Sequence, residues 1–227
     1  MNRPVILVTG ASRGLGAAVA RKAARLGADV ALAARSEEEL AAVAEDVRSL
    51  GSRALAIAAD LSRLEDCRRT VTETVEHFGR LDGLVNNAGV LGPVAPVAEG
   101  DPEGWQYNLQ VNLLGPVWLT QAVLPHLRAS RGRVVHVSSG AAVNPVEGWG
   151  AYSVSKAGLN HFSRVLAEEE PDVVSVAFRP GVVDTAMQAQ VRTEGREGMQ
   201  PENHRRFLER HRRGELLPPE VLSLIHI

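Results

Sequence analysis

The stretch Val5-Ile6-Leu7-Val8-Thr9-Gly10-Ala11-Ser12-Arg13-Gly14-Leu15-Gly16 decides how this chain folds. Residues 5–8 form a continuous apolar run, which is typical of a strand buried on both faces of a parallel sheet. Glycines follow at three positions, and apolar residues then recur at helical spacing as far as Leu26. A strand, a glycine-rich turn and a helix in this order predict a phosphate-binding turn, because glycines allow close backbone approach and a helix N-terminus offers free N–H groups.

Strand-like and helix-like segments alternate along the rest of the chain. The predicted strands span residues 5–8, 29–34, 54–59, 81–85, 133–137 and 173–178. A long helix is predicted from residue 101 to about residue 127, and polar or glycine-rich residues follow the strands. This pattern predicts a single-domain α/β fold with a doubly wound parallel sheet and a site along the carboxyl edge of its strands.

The composition excludes several classes of protein. With 44% apolar and 23% charged residues, the 227-residue chain is typical of a soluble globular domain. Its 27 acidic and 25 basic residues give no general attraction for nucleic acid or membrane. A single cysteine, Cys67, excludes an internal disulfide, and no apolar run approaches the ~20 residues of a membrane span. We expect a cytoplasmic protein with a small-molecule partner and no metal site.

A second stretch carries candidate chemistry. Tyr152 and Lys156 are four residues apart in a predicted helix, so both side chains lie on one face. A nearby ammonium favours the phenolate and should lower the pKa of Tyr152, which would make the tyrosine a usable acid or base. Ser139, delivered by the fifth strand, could hold a carbonyl oxygen beside the phenol.

Two alternatives stay open at this point. Taken alone, the Tyr-x-x-x-Lys spacing also fits an ordinary amphipathic helix that carries these residues by chance. Asn112 is polar inside an apolar helical stretch, and spacing alone does not decide between a structural hydrogen-bonding residue and a member of a proton relay.

The end of the second strand favours one dinucleotide over another. An acidic residue there would bind the 2′-hydroxyl of an adenosine ribose, whereas an arginine can pair with a 2′-phosphate. This chain has Arg35 at that place, and Arg13 in the glycine turn could reach the same phosphate. The two arginines predict that NADP(H) is preferred over NAD(H).

Taken together, the motifs resemble those of the short-chain dehydrogenase/reductase family over nearly the whole chain. The matching pieces are Thr9-Gly10-x-x-x-Gly14-x-Gly16, Asp60, Asn86-Asn87-Ala88-Gly89, Asn112, Ser139, Tyr152-x-x-x-Lys156 and Pro180-Gly181. The resemblance implies a Rossmann fold in which hydride passes between a nicotinamide and a carbonyl or alcohol carbon. It also implies a homo-oligomer, a dimer or tetramer, for a full-length protein.

The resemblance assigns roles to four residues. It implies that Tyr152 is the catalytic acid/base and that Lys156 lowers its pKa and binds the nicotinamide ribose. Ser139, rather than Ser138, would orient the carbonyl, and Asn112 would hold a water of the proton relay. The implied cofactor-binding residues are Gly10, Ser12, Arg13, Gly14, Leu15, Gly16, Asp60, Leu61, Asn87, Ala88, Gly89, Tyr152, Lys156, Pro180, Val183 and Thr185, with Arg35 added by the argument above.

Within this family, residues 168–173, 179–185 and 216–220 are similar to the sepiapterin reductase and benzil reductase branch. This similarity implies a ketone substrate, with a vicinal dicarbonyl or a pterin side chain as candidates. Residues 186–214 would form a lid over the substrate. Candidates for the substrate wall are Leu91, Trp149, Val182 and Met187, for which plain packing is an equally good interpretation.

The end of the chain departs from the family pattern. Residues 1–221 would form the domain, whereas residues 222–227, Leu-Ser-Leu-Ile-His-Ile, match a translated sequencing-library adapter. We therefore expect this tail to be non-native and the last strand of the sheet to be missing through truncation. Two rival functions follow from these observations: a dinucleotide-binding sensor or scaffold without turnover, and an inactive truncated enzyme.

Overall fold

The computed structural model describes residues 3–222. It contains a sheet of parallel strands in the order β3-β2-β1-β4-β5-β6. The strands are β1 (Val5–Thr9), β2 (Asp29–Ala34), β3 (Ala54–Ala58), β4 (Gly83–Asn86), β5 (Arg133–Val137) and β6 (Val174–Phe178). The predicted single-domain, doubly wound parallel sheet is thus confirmed; β2 and β5 have the predicted boundaries, and those of the other strands differ by one or two residues.

Helices connect and follow the strands. They are α1 (Gly14–Arg25), α2 (Glu37–Ser49), α3 (Leu64–Phe78), α4 (Pro102–Leu109), α5 (Gly115–Ser130), α6 (Gly150–Glu169), α7 (Ala186–Gly198), α8 (Pro201–Arg212) and α9 (Pro219–Leu222). The predicted non-native tail, residues 222–227, lies outside the described residues apart from Leu222, the last residue of α9.

The core has two apolar layers, one on each face of the sheet. Successive side chains of a strand point to opposite faces, and β1 is buried along its whole length. Ile6 and Val8 pack with α1 and α2 on one face, whereas Val5 and Leu7 pack with α3 and α5 on the other. This double burial explains why β1 is apolar without alternation.

The long helix predicted over residues 101–127 is interrupted. Between α4 and α5, residues Gln110–Leu114 form a π-helical turn, so the axis continues but the register changes. Such turns in helices are frequent at functional sites. Asn112 lies in the middle of this one.

The strand order reverses between β1 and β4, so their connections leave in opposite directions and open a crevice at the carboxyl edge of the sheet. Gly10, Arg35, Asn87 and Ser138 each follow the end of a strand at this edge. Residues far apart in the sequence are therefore brought together there. Within residues 3–222, no helix combines the length and the apolar character that crossing a bilayer would require.

Candidate active site

The glycine turn between β1 and α1 has the backbone geometry that only glycine adopts easily. Gly10 and Gly14 have φ values of +61° and +55°, in the left-handed region. At Gly16 the constraint is space: a Cβ atom there would lie 2.2 Å from the carbonyl oxygen of Gly10. The absence of side chains at Gly10 and Gly16 therefore lets the first turn of α1 pack directly on the end of β1.

The N-terminus of α1 is open toward this turn. Arg13 occupies the N-cap position, and its side chain makes no capping hydrogen bond. The first N–H groups of a helix have no partner within the helix, so an uncapped N-terminus can accept an anion such as a pyrophosphate. Ser12 and Leu15 flank Arg13 and Gly14 in this turn, and the Leu15 side chain is buried in the core.

The segment after β6 lies against the glycine turn. The Cγ2 atom of Thr185 would be 3.4 Å from a Cβ atom at Gly14. Val183 is buried and pairs with Leu217 in an isolated bridge, which holds the segment that begins at Pro180. The structure thus brings the predicted residues Val183 and Thr185 to the same edge as the turn.

Thr9 and Asn87 lock the ends of β1 and β4 together. The hydroxyl of Thr9 accepts hydrogen bonds from the backbone N–H groups of Asn87 and Ala88, at 2.9 and 3.0 Å. The Asn87 amide donates to the carbonyl oxygens of Thr9 and Gly10, at 2.8 and 3.2 Å. The role of Thr9 was not predicted, although a threonine directly before the glycine turn was a visible signal.

The two arginines predicted to select the cofactor have different partners. The Nη1 of Arg13 lies 3.8 Å from a carboxylate oxygen of Glu39, in an exposed ion pair. Arg35 instead donates a hydrogen bond of 2.7 Å to the phenol oxygen of Tyr107 on α4. Tyr107 was not singled out by the sequence analysis.

Asp60 and Leu61 follow β3 at the same edge. The Asp60 carboxylate accepts hydrogen bonds from the backbone N–H and the hydroxyl of Ser62, at 3.0 and 2.8 Å. The Leu61 side chain is buried in the core. Both residues therefore have structural roles, and the adenine contact predicted for them stays a prediction.

Ser139 and Tyr152 form the centre of the candidate site. Tyr152 on α6 is 6% exposed, and the Ser139 side chain lies close enough to its phenol to affect the phenol's pKa. The buried Ser138 hydroxyl has no hydrogen-bond partner within residues 3–222, whereas Ser139 affects the pKa of Tyr152; the predicted role of Ser139 in orienting a carbonyl stays a prediction.

The pKa of Tyr152 departs from the prediction. Burial raises this pKa above its ordinary value, and the nearby Ser139 side chain offsets part of the rise. Lys156, which was predicted to lower this pKa, is not among the causes of the shift; its ammonium nitrogen lies 5.7 Å from the centre of the phenol ring. The expected lowering by Lys156 is therefore wrong for this arrangement of the side chains.

Lys156 is itself buried and held by the sheet. Its Nζ donates a hydrogen bond of 2.8 Å to the carbonyl oxygen of Val137, the last residue of β5. Burial lowers the pKa of Lys156 to about 8, because the charged form loses its hydration. The ammonium can therefore exchange a proton near neutral pH.

Asn112 makes a set of well-defined hydrogen bonds. Its amide accepts from the backbone N–H of Val90 at 2.9 Å and donates to the carbonyl oxygen of the same residue at 2.8 Å. It also donates to the side chain of Asn108 at 2.8 Å and to the Ser155 hydroxyl at 3.3 Å. The structural interpretation of Asn112 is thus confirmed, and the proton relay stays a prediction.

Asn108 is a site residue that the sequence analysis missed. Its amide nitrogen donates to the carbonyl oxygens of Val90, Leu91 and Gly92, at 3.2, 3.1 and 2.7 Å. A second asparagine four residues before Asn112, on the same face of an apolar helix, was the available signal. Together the two amides fix the chain that leaves β4.

Gly89 lies between Asn112 and Lys156. A Cβ atom at Gly89 would be 3.1 Å from the Asn112 Oδ1 and 3.6 Å from the Lys156 Nζ. A side chain at this position would therefore fill the space above both groups. The glycine keeps that space open next to Tyr152 and Ser139.

An apolar cluster covers Tyr152. The Trp149 ring packs edge-on against the Tyr152 ring, with the centroids 5.6 Å apart, and also contacts Phe207 of α8. Leu91 and Met187 belong to this cluster, but Val182 does not. Helices α7 and α8, in the predicted lid region 186–214, thus form one wall of the site.

The donor set fits a dinucleotide. The bare turn from Gly10 to Gly16 and the uncapped helix suit a pyrophosphate, and Gly89 lies beside Asn112 and Lys156 at the same edge of the sheet. Within residues 3–222, no group of three or more histidine, cysteine or acidic side chains could hold a metal ion.

Comparison with known proteins identifies the family. Residues 4–196 match the short chain dehydrogenase family model. A benzil reductase of Saccharomyces cerevisiae that forms (S)-benzoin is 39% identical over 234 residues, which cover 97% of this chain and 88% of that protein. An 11-beta-hydroxysteroid dehydrogenase-like protein of Arabidopsis thaliana is 41% identical over 187 residues, which cover 81% of this chain and 60% of that protein.

Solved structures agree with this assignment. The crystal structure of the KRED1-Pglu enzyme has a TM-score of 0.91 at 42% identity, over 97% of this chain and 91% of that chain. A metagenomic short-chain oxidoreductase in complex with NADP has a TM-score of 0.75 at 40% identity, over 79% of this chain and 83% of that chain. An NAD+-bound xylitol dehydrogenase has a TM-score of 0.82 at 30% identity, over 87% of this chain and 78% of that chain. This chain belongs to the short-chain dehydrogenase family, whose members are oxidoreductases that bind a nicotinamide dinucleotide.

Proposed function

We propose that this protein is an NADP(H)-dependent oxidoreductase that interconverts a ketone or aldehyde and an alcohol, with Tyr152 as the acid/base. The observation that carries the proposal is the buried phenol of Tyr152, whose pKa is affected by the nearby Ser139 side chain and whose ring centre lies 5.7 Å from the Lys156 ammonium nitrogen. A sensor that only binds a dinucleotide has no need of a phenol, a hydroxyl and an ammonium at one point of its cleft.

The bound dinucleotide would supply a hydride to the carbonyl carbon, or accept one from the alcohol carbon. Ser139 donates a hydrogen bond to the carbonyl oxygen and so holds the carbonyl beside the phenol. Tyr152 gives its proton to the same oxygen as negative charge develops there. Burial favours the protonated phenol, which is the form that reduction requires.

Lys156 would restore the proton of Tyr152 after each reduction. Its pKa of about 8 allows proton exchange near neutral pH, and Val137 fixes its position. We also propose that Asn112, which borders the same space at Gly89, helps to connect Lys156 with solvent. Lys156 would bind the nicotinamide ribose as well, which requires its Nζ to keep at least one free N–H.

The proposed preference for NADP(H) rests on Arg35 and Arg13. Both lie at the edge where the second strand ends, and no acidic residue occupies the position after β2. The related metagenomic oxidoreductase was solved with NADP, which supports the proposal, while the xylitol dehydrogenase was solved with NAD+. The family alone therefore does not decide between the two dinucleotides.

We propose an apolar ketone, and in particular an aryl ketone or a vicinal dicarbonyl, as the substrate. The wall of the site is apolar and aromatic, with Trp149, Phe207, Leu91 and Met187 around Tyr152. The benzil reductase of Saccharomyces cerevisiae acts on such a diketone by its name, and it is similar to this chain over nearly its full length. Helices α7 and α8 would act as the lid that excludes water from this wall.

Purified protein tests the proposal when it is assayed for NADPH oxidation against a panel of monoketones and diketones that includes benzil. Tyr152→Phe should lower kcat by roughly 10²–10⁴-fold, because the phenyl ring cannot donate a proton. Binding of NADPH to the variant, followed by its fluorescence, should stay intact. Undiminished turnover in Tyr152→Phe would contradict the mechanism. Tight NADPH binding without turnover of any substrate would instead favour a sensor.

The oligomeric state and the location belong to the same proposal. Leu114, Val154 and Val165 are large apolar side chains that are between 39% and 52% exposed. These exposed side chains support a dimer or tetramer, in which they would be buried between subunits. Light scattering after gel filtration would measure the oligomeric state. We also propose a cytoplasmic location, on composition alone.

A further inference from the structure

We propose that Tyr107 is a specificity-determining residue, which positions the Arg35 guanidinium to receive the 2′-phosphate of NADP(H). The inference rests on the proposed preference for NADP(H) and adds to it a residue on a different element. It comes from the hydrogen bond of 2.7 Å that Arg35 Nη1 donates to the phenol oxygen of Tyr107.

This hydrogen bond joins two elements at the carboxyl edge of the sheet. Arg35 directly follows β2, and Tyr107 lies on α4, which follows β4 in the chain. Because β1 lies between β2 and β4, the bond reaches across the part of the edge where β1 gives way to the glycine turn. The guanidinium is therefore held over the adenosine side of the cleft.

The partner of Arg35 is uncharged, and this matters for an anionic ligand. Three glutamates, Glu37, Glu38 and Glu39, lie in the first turn of α2, two to four residues after Arg35. Within residues 3–222, Arg35 nevertheless makes no ion pair, whereas Arg13 pairs with Glu39. A phenol oxygen accepts a hydrogen bond without neutralising the cation, so Arg35 keeps its full charge for a phosphate.

The same bond reduces the entropy that binding would cost. An exposed arginine loses rotamer freedom when it is fixed on a ligand. The hydrogen bond to Tyr107 restricts the Arg35 side chain before a ligand binds, so less entropy is lost on binding. The bond uses one N–H of the guanidinium and leaves the others for a forked contact with a phosphate. Tyr107 is thus a positioning residue that acts through Arg35.

The part of α4 that carries Tyr107 is fixed to the chain after β4 by hydrogen bonds. The neighbouring residue Asn108 is fully buried and donates to three consecutive carbonyl oxygens, those of Val90, Leu91 and Gly92. These bonds fix α4 relative to the end of β4. The phenol oxygen of Tyr107 is therefore held at a defined place relative to the glycine turn.

Isothermal titration of the ligand-free protein with 2′,5′-ADP and with 5′-AMP tests the inference, since the two probes differ only in the 2′-phosphate. The variants are Tyr107→Phe, Arg35→Ala and, as a matched control on the same helix, Gln106→Ala. Tyr107→Phe should weaken 2′,5′-ADP binding by about fivefold to tenfold, the weight of one hydrogen bond that orients a charged group. Tyr107→Phe should not change 5′-AMP binding or the melting temperature. Gln106→Ala should bind both probes as the unaltered protein does.

The results for the two variants distinguish a failure of the role of Tyr107 from a failure of the preference for NADP(H). If Arg35→Ala weakens 2′,5′-ADP binding but Tyr107→Phe does not, the inference is wrong and the preference for NADP(H) stands. Equal weakening of both probes by Tyr107→Phe would also overturn the inference, because it would indicate a contact with the adenosine itself. If Arg35→Ala leaves 2′,5′-ADP binding unchanged, Arg35 has no part in the proposed preference and the inference fails. In steady-state assays, Tyr107→Phe should raise KM for NADPH and leave kcat unchanged.

Discussion

Glu147 accepts a hydrogen bond of 2.6 Å from the side chain of Asn203, which is 56 residues further along the chain. The same carboxylate oxygen accepts the backbone N–H of Gln200 at 3.0 Å, at the start of α8. Glu147 lies two residues before Trp149, whose ring packs on Tyr152. One carboxylate therefore joins α8, part of the proposed lid, to the loop that leads into α6.

Removal of this tie should loosen the lid. We expect Glu147→Ala to raise KM for the carbonyl substrate by about threefold to tenfold, because two hydrogen bonds to a charged group are lost at a partly exposed site. Limited proteolysis should cut residues 186–214 faster in the variant, with the protected core unchanged.

Asn203→Ala should also raise KM for the carbonyl substrate and the rate of proteolysis. Glu194→Ala is the control and should change neither. Glu194 lies on α7 and is exposed, and within residues 3–222 its carboxylate accepts only from Gln190 on the same helix. A Glu147→Ala variant with unchanged KM and unchanged proteolysis would show that α7 and α8 hold their place without Glu147.

Gly16→Ala should damage the glycine turn. The new Cβ atom would meet the Gly10 carbonyl oxygen at 2.2 Å, and backbone atoms cannot yield as a flexible side chain does. We expect a loss of about 1–3 kcal/mol in the free energy of unfolding and weaker binding of 5′-AMP. Gly140→Ala is the matched control, since a Cβ atom there meets nothing within 4 Å. Equal effects of the two substitutions in urea titrations would refute the packing argument.

Asn112 and Asn108 should behave as one unit. Each alanine substitution leaves buried polar groups of residues 90–92 without a partner, so we expect each to cost about 2–3 kcal/mol in the free energy of unfolding. The two amides also bond to each other at 2.8 Å, so the double variant should cost less than the sum of the single variants. Strict additivity in urea titrations of the four proteins would contradict this coupling.

His136 should make the protein sensitive to acid. Its ring is fully buried beside Asn86 and Phe162, and burial, with a smaller effect of the Lys156 charge, lowers its pKa to about 3. Below its ordinary pKa of 6.5, the unfolded chain binds a proton that the folded protein does not. The free energy of unfolding should therefore fall as the pH falls from 6.5 toward 3, by at most about 1.4 kcal/mol for each pH unit.

Urea titrations at pH 7, 6 and 5 measure this loss. The carboxyl groups with lowered pKa values, Asp29, Asp66 and Glu170, reduce stability only at lower pH, so they do not obscure the effect of His136 in this range. His136→Gln should flatten the dependence on pH over this range, while His161→Gln, an exposed histidine on α6, should leave it unchanged. Parallel loss of stability in His136→Gln and the unaltered protein would assign the acid sensitivity to other groups.

The sequence determined the parts of this protein that depend on local pattern. The apolar run of β1, the glycines at 10, 14 and 16 and the alternation of strands with helices specified the doubly wound sheet. The spacing of Ser139, Tyr152 and Lys156 predicted the chemistry that is proposed for the site. These features could be predicted because backbone conformation and side-chain direction follow from neighbouring residues.

Only the tertiary structure decided what depends on distance between remote residues. It showed that burial, rather than Lys156, governs the pKa of Tyr152, and that the helix around Asn112 contains a π-helical turn. It also paired Arg35 with Tyr107 and Glu147 with Asn203, across 72 and 56 residues. Desolvation and hydrogen bonding depend on the groups within a few ångströms, and spacing along the chain does not specify which remote groups those are.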